Sequence, residues 1–162
     1  MATRAEQLYD QDFYAWTRDQ AAALRRLAAS RPNVDLDFEP LIEEVADLGV
    51  NQRDAVRSQV RRIIEHSLKL EYSTAPNPRA GGHESIIDAR TEIEDKITPT
   101  IRRGLSRRLP RLWQQARRNT AAALSLHDEH AAATALPPAC PYRLGDLLRH
   151  DWYPKSRHGL EP

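Results

Sequence analysis

Apolar residues recur at three- and four-residue steps along almost the whole chain, the spacing of amphipathic α-helices. Tyr9, Phe13, Trp16, Gln20, Ala23, Leu24 and Leu27 form one such stripe, which predicts a first helix over about 5–29. Alternation of apolar and polar residues is confined to short runs such as 33–39 and 67–73, and only 6 glycines occur, so a sheet has little support.

The remaining punctuation divides the chain into further helices. Ser30-Arg31-Pro32-Asn33 breaks the first. Asp35 or Asp37 can cap the next, whose stripe is Phe38, Leu41, Ile42, Val45 and Leu48, with Pro40 harmless in the first turn. Gly49 fits a helix end or bend, with Asn51 capping a continuation over about 52–72 that carries Val56, Val60, Ile63, Ile64, Ser67 and Leu68 on one face. Pro76-Asn77-Pro78 and Gly81-Gly82 mark a loop, and a helix over about 83–97 follows with Ile86, Ile93 and Ile97 in line. Thr98-Pro99 reads as an N-cap followed by proline at the first helical position. The segment 99–130 aligns Ile101, Leu105, Leu109, Leu112, Ala116 and Ala123, and Gly104 and Pro110 predict a kink or break near Leu105–Leu109. Residues 131–136 and then Pro137-Pro138 end the bundle, and a short helix over about 144–149 sits within an aromatic tail closing on Trp152-Tyr153. The expected fold is all-α: a single-domain bundle over 1–162, with a core over about 5–154. It has four to five principal helices, a short C-terminal helix, and a disordered tail over 155–162.

Composition bounds the function. A chain of 162 residues can bury about two thirds of its unfolded surface without metal or disulfide. Its 29% charged and 40% apolar residues suit a water-soluble bundle. A formal charge of +1 gives no global pull toward nucleic acid or anionic membranes. Cys140 is the only cysteine, so a reducing cytoplasm is the expected home. The acidic opening residues (Glu6, Asp10, Asp12, Asp19) argue against a secretory signal, and no stretch approaches 18 consecutive apolar residues.

Three separated stretches carry a family resemblance: Tyr9-Asp10-Gln11-Asp12-Phe13-Tyr14-Ala15-Trp16, then Leu41-Ile42-Glu43-Glu44-Val45-Ala46-Asp47-Leu48-Gly49, then Cys140-Pro141-Tyr142-Arg143-Leu144-Gly145-Asp146-Leu147-Leu148 leading to Asp151-Trp152-Tyr153-Pro154. Between them lie His66-Ser67-Leu68-Lys69-Leu70, Ser85-Ile86-Ile87 with Arg90, and Thr98-Pro99-Thr100-Ile101. In order and spacing the chain resembles the bacterial domain-of-unknown-function family 29 over about 8–154. That resemblance implies an all-helical bundle in the bacterial cytoplasm and hands over no catalytic residue. The family usually has a tryptophan where this chain has Gly82-His83, and a threonine cap where Arg143 stands.

Two groups of side chains could carry chemistry. Arg90 falls between Ile86, Ile93 and Ile97, in the middle of an apolar face, and an unpaired buried charge costs several kcal/mol in rough terms. Glu94, one turn on, Glu44, at the edge of the Leu41/Leu48 stripe, and His66, beside Ile63 and Leu70, are its candidate partners. Such a cluster would either bind an anion and do acid–base work in an interior pocket, or simply fix helix register; the second is the plainer reading.

Arginine dominates the other group. Arg102, Arg103, Arg107, Arg108, Arg111, Arg117 and Arg118 lie in a stretch, 101–126, without one acidic residue. Arg103, Arg107, Arg111 and Arg118 share a helical face that suits phosphate or an acidic partner. The first 60 residues hold 11 acids against 7 basic groups, so intramolecular or subunit pairing is available. There is no recognition-helix pattern and no aromatic interleaving of the single-strand binders, so a partner-facing stripe is the better reading than nucleic-acid binding.

His127-Asp128-Glu129-His130 offers two metal ligands, too few for a site. Asp10 and Asp12 lie on different faces, and Cys140 has no histidine placed to activate it. No cofactor is expected. The leading expectation is a non-catalytic module working through protein–protein contact, with homo-oligomerisation as one form of it. A binder or enzyme built around Arg90 is the first rival, and nucleic-acid binding through the arginine stripe the second.

Overall fold

A computed structural model of the chain describes residues 3–76 and 79–160. Among these residues the structure is all helical: α1 (Arg4–Gln11), α2 (Phe13–Ala29), α3 (Phe38–Tyr72), α4 (Arg79–Glu94), α5 (Pro99–Leu126), α6 (His130–Ala135) and α7 (Leu144–Leu148). The chain forms two compact units, residues 1–55 with 96–104 and residues 56–95 with 105–162. Helices α3 and α5 contribute residues to both.

The second unit carries most of the core. Val56, Val60, Ile63, Ile64 and Leu68 of α3 are fully buried, as are Ile86 and Ala89 of α4, Trp113 and Ala116 of α5, and Leu147 of α7. These are the positions that 3.6-residue periodicity aligns, and each buried aliphatic side chain contributes about 1.5–3 kcal/mol. The aromatic tail closes over them. Tyr142 stacks edge-on against both Trp113 and Trp152, and its hydroxyl donates to Glu71 at 2.6 Å. Within the segment 155–162 expected to be a disordered tail, Arg157 makes contacts to α3: its guanidinium pairs with Glu71 at 3.1 Å, and its backbone N–H donates to the Glu71 carbonyl.

The first unit is different. Among its described residues only Ala21, Ile42 and Ile101 are buried apolar groups. Of the two stripes expected to form its core, Phe13, Trp16, Leu24, Phe38 and Val45 are half-buried, and Tyr9, Leu27, Leu41 and Leu48 are exposed.

Local structure departs from the sequence-based boundaries at several places. The first helix is two helices, because Asp12 leaves helical geometry (φ −152°, ψ 78°) and its side chain caps α2 through the Ala15 N–H at 3.0 Å. Its other carboxylate oxygen accepts the Thr100 N–H at 2.8 Å, so one buried aspartate caps both α2 and α5. Gly49 ends nothing. It lies inside α3, where a Cβ would overlap Thr17 Oγ1 and come within 3.2 Å of Tyr14 Cδ2, so glycine is what lets α2 and α3 approach.

Gly81-Gly82 belongs to α4 rather than to a loop; Asn77 and Pro78, the other part of that expectation, lie outside the described residues. Helix α5 runs unbroken through Gly104 and Pro110, because a proline deletes one backbone bond while buried Leu105, Leu112, Trp113 and Ala116 hold the helix around it. Thr98 does cap α5, accepting the Ile101 N–H at 3.2 Å. Arg143 stands at the N-cap of α7 with no side-chain cap bond.

Candidate functional site

Arg90 is 1% exposed, and its partners are carbonyls rather than carboxylates. Its Nε donates to Leu147 O at 2.9 Å, Nη1 to His150 O at 3.3 Å and Nη2 to Trp152 O at 2.8 Å. The guanidinium also lies over the Tyr153 ring, 5.0 Å from its centroid. Burial pulls its pKa below the ordinary arginine value. A planar fork with several donors satisfies three backbone acceptors of an irregular tail at once. Arg90 therefore strings the C-terminal segment onto α4.

The residues grouped with Arg90 from sequence do not converge on it. Glu94 sits 2.7 Å from His150 Nε2 at the protein surface. Glu44 is exposed in the first unit. His66 is half-buried and lines a groove elsewhere in the second unit, bounded by the end of α3, the start of α4 and the end of α5. Burial, with Lys69 and Arg62 adding positive charge nearby, pushes the His66 pKa down to about 4, so its imidazole is neutral at pH 7. Lys69, also in that groove, was not singled out from sequence; its place one turn beyond His66 is the signal that could have found it.

Arg103, Arg107, Arg111 and Arg118 are all exposed, as is Arg108. Arg103 donates to Thr100 Oγ1 at 3.0 Å. In the second unit, Arg107, Arg108, Arg111 and Arg118 make no ion pair with a carboxylate among the described residues. Arg117 instead turns inward to the Leu136 carbonyl.

The other sequence candidates resolve simply. Helix α5 ends before His127 and α6 begins at His130, so the two histidines do not share a helical turn. No group of three or more His, Cys, Asp or Glu side chains capable of holding a metal occurs among the described residues. Burial raises the Cys140 pKa, the wrong direction for a nucleophile.

The first unit presents the most distinctive surface. Of the eight large apolar residues that stay exposed among the described residues, six belong to it: Tyr9, Leu27, Val34, Leu36, Leu41 and Leu48. Leu41 and Leu48 are seven residues apart and so lie on one face of α3. Exposed Glu39, Glu43, Glu44 and Asp47 make that stretch of α3 acidic, whereas exposed Arg18, Arg25 and Arg26 make α2 basic. Between the two helices runs a groove of about 550 Å³, lined by Tyr14, Arg18, Ala22, Arg25, Ala46 and Val50.

The family model described as Domain of unknown function DUF29 matches residues 8–153. The chain belongs to this family. Among solved structures, this DUF29 chain is similar to an alpha-helical protein of unknown function from Rhodospirillum rubrum ATCC 11170, with 28% identity and a TM-score of 0.74. The match covers 89% of this chain and 90% of that one. No curated protein matches it. No helix among the described residues is long and apolar enough to cross a membrane.

Proposed function

We propose that this DUF29 chain is a protein-interaction module that self-associates through its first unit. The observation that carries the reading is the mismatch there, among the described residues, between three buried apolar residues and six large exposed ones. Helix faces of this kind are stable when something covers them, and apolar area removed from water is worth about 25 cal/mol per Å².

A second copy fits the charges. Basic α2 and α3, whose exposed side chains over 39–47 are largely acidic, both line the 550 Å³ groove, and a twofold arrangement could set each helix against its opposite. Leu41→Glu with Leu48→Glu should convert the wild-type assembly to monomer in light scattering coupled to size exclusion, with helical circular dichroism unchanged. A monomeric wild type at about 100 μM, or an unchanged mass in the variant, would refute self-association at this face.

A second reading rests on Arg107, Arg108, Arg111 and Arg118 of α5, which pair with no carboxylate among the described residues and favour an anionic partner such as nucleic acid. Binding of this kind weakens steeply with salt, since each phosphate contact adds about 0.9 to the log–log slope. Arg107→Glu with Arg111→Glu should lower that slope by about 2. No binding to single- or double-stranded DNA or RNA at about 50 mM salt would eliminate it.

A further inference from the structure

The groove beside His66 has a cavity volume of about 860 Å³, the size of a site for a small organic molecule. Two half-buried titratable side chains in its wall have no assigned partner. His66 and Lys69 are both half-buried, and neither makes a hydrogen bond or ion pair with the described residues. A half-buried lysine without a carboxylate is a standing attraction for an anion.

The rest of the wall is built and occupied. Arg79 Nη2 donates to Leu70 O at 3.0 Å, which fastens the start of α4 to the end of α3. Gly82 brings the α4 backbone beside the imidazole: a Cβ there would sit 3.9 Å from His66 Nδ1 and 3.4 Å from Leu70 Cδ2. The first-turn N–H groups of α4 lack acceptors inside the helix, and their dipole adds to the positive potential of Lys69.

On the opposite side Glu129 is already engaged, taking the Ser73 hydroxyl at 2.6 Å and the Thr74 N–H at 2.6 Å. Burial raises the Glu129 pKa, but the bonds from Ser73, Thr74 and Ala75 outweigh it and leave the pKa lowered. Asp128 projects into solvent. Leu70, Ala123 and Leu124 supply apolar surface next to the charged end.

We infer that this groove binds a small amphiphilic anion, a carboxylate or phosphate group held at Lys69 with an apolar body laid against Leu70 and Leu124. His66, neutral at pH 7, adds one N–H donor and one lone pair, enough to orient a hydroxyl or a phosphate oxygen. The assignment is independent of self-association, because every residue in it belongs to the second unit.

Titration of the full chain with phenyl phosphate, benzoate and inorganic phosphate, followed at the His66 imidazole by NMR, tests it. Phenyl phosphate or benzoate should saturate the His66 shift with a dissociation constant below about 1 mM, and the tighter of the two names the head group. Lys69→Gln should weaken that binding at least about tenfold, and Gly82→Leu, which fills the groove, should abolish it. Arg111→Glu, on the exposed face of α5, should leave it unchanged. No saturation by about 10 mM, or equal affinity in Lys69→Gln, overturns the site. Inorganic phosphate binding as tightly as phenyl phosphate overturns the role given to the apolar wall.

Discussion

Arg90 and Trp152 are joined by a guanidinium-to-carbonyl hydrogen bond of 2.8 Å that spans 62 positions of sequence. With the parallel bonds to Leu147 and His150, it makes a buried cation the fastening point of the C-terminal segment. Arg90→Ala would orphan three carbonyls and leave a cavity, costing about 3–5 kcal/mol, and Arg90→Lys should recover little because an ammonium lacks the planar fork. Urea denaturation with hydrogen exchange at Leu147–Tyr153 reads both effects. A variant as stable as wild type, with that segment still protected, would contradict this role.

Asp12 joins two helix starts. Burial raises its pKa, but hydrogen bonds from Thr100, Ala15 and Thr98 outweigh that and leave it lowered. A carboxylate whose pKa is lower in the folded state stabilises that state above the unfolded value, near 4, and loses the contribution as pH falls through the folded pKa. Asp12→Ala should cost about 2 kcal/mol at pH 7, two caps at about 1 each, and flatten the stability profile below about pH 4. Amide exchange should accelerate at Ala15 and Thr100. If those two amides remain protected in the variant, the double cap does not hold the helix ends.

His66 carries the opposite proton logic to an ordinary surface histidine. Its folded pKa of about 4 lies below the unfolded value of about 6.5, so the unfolded chain binds the extra proton between those limits. Stability from this group is complete above about pH 6.5 and is lost as pH falls toward 4. The charged groups around it are Lys69, Arg62, Arg79, Asp128 and Glu129, of which Lys69 and Arg62 reinforce the shift. An NMR titration should place the His66 midpoint near 4, and His66→Gln should remove the corresponding slope. A midpoint near 6.5 would show a solvated ring and an open groove wall.

The second unit was the more legible from sequence. Val56, Val60, Ile63, Ile64 and Leu68 had to lie inward because periodicity and burial agree there. The same periodicity was less decisive in the first unit, where Tyr9, Leu27, Leu41 and Leu48 stay exposed while Phe13, Trp16 and Val45 of the same stripes are half-buried, since a stripe says that something must cover it without saying what. Boundaries at Asp12, Gly49 and Gly82 depended on tertiary contacts: two helix starts sharing one carboxylate, a hydroxyl pressed on a glycine, an imidazole beside a backbone. Arg90 stood out as anomalous, but its partners are tail carbonyls, which leave no mark in residue types. Lys69 is ordinary in sequence and unusual only once α4 and α5 surround it.

Self-association through oppositely charged α2 and α3 faces is the central claim, and sedimentation equilibrium on a pair of charge-swapped chains tests it most directly. Arg25→Glu with Arg26→Glu makes both faces acidic, and Glu43→Arg with Glu44→Arg makes both basic. Each variant alone should sediment as monomer at about 50 mM salt, where exposed charges still act over more than about 10 Å, and a 1:1 mixture should recover the wild-type dimer mass. A mixture that stays monomeric, or variants that associate as well alone as the wild type does, would contradict the account.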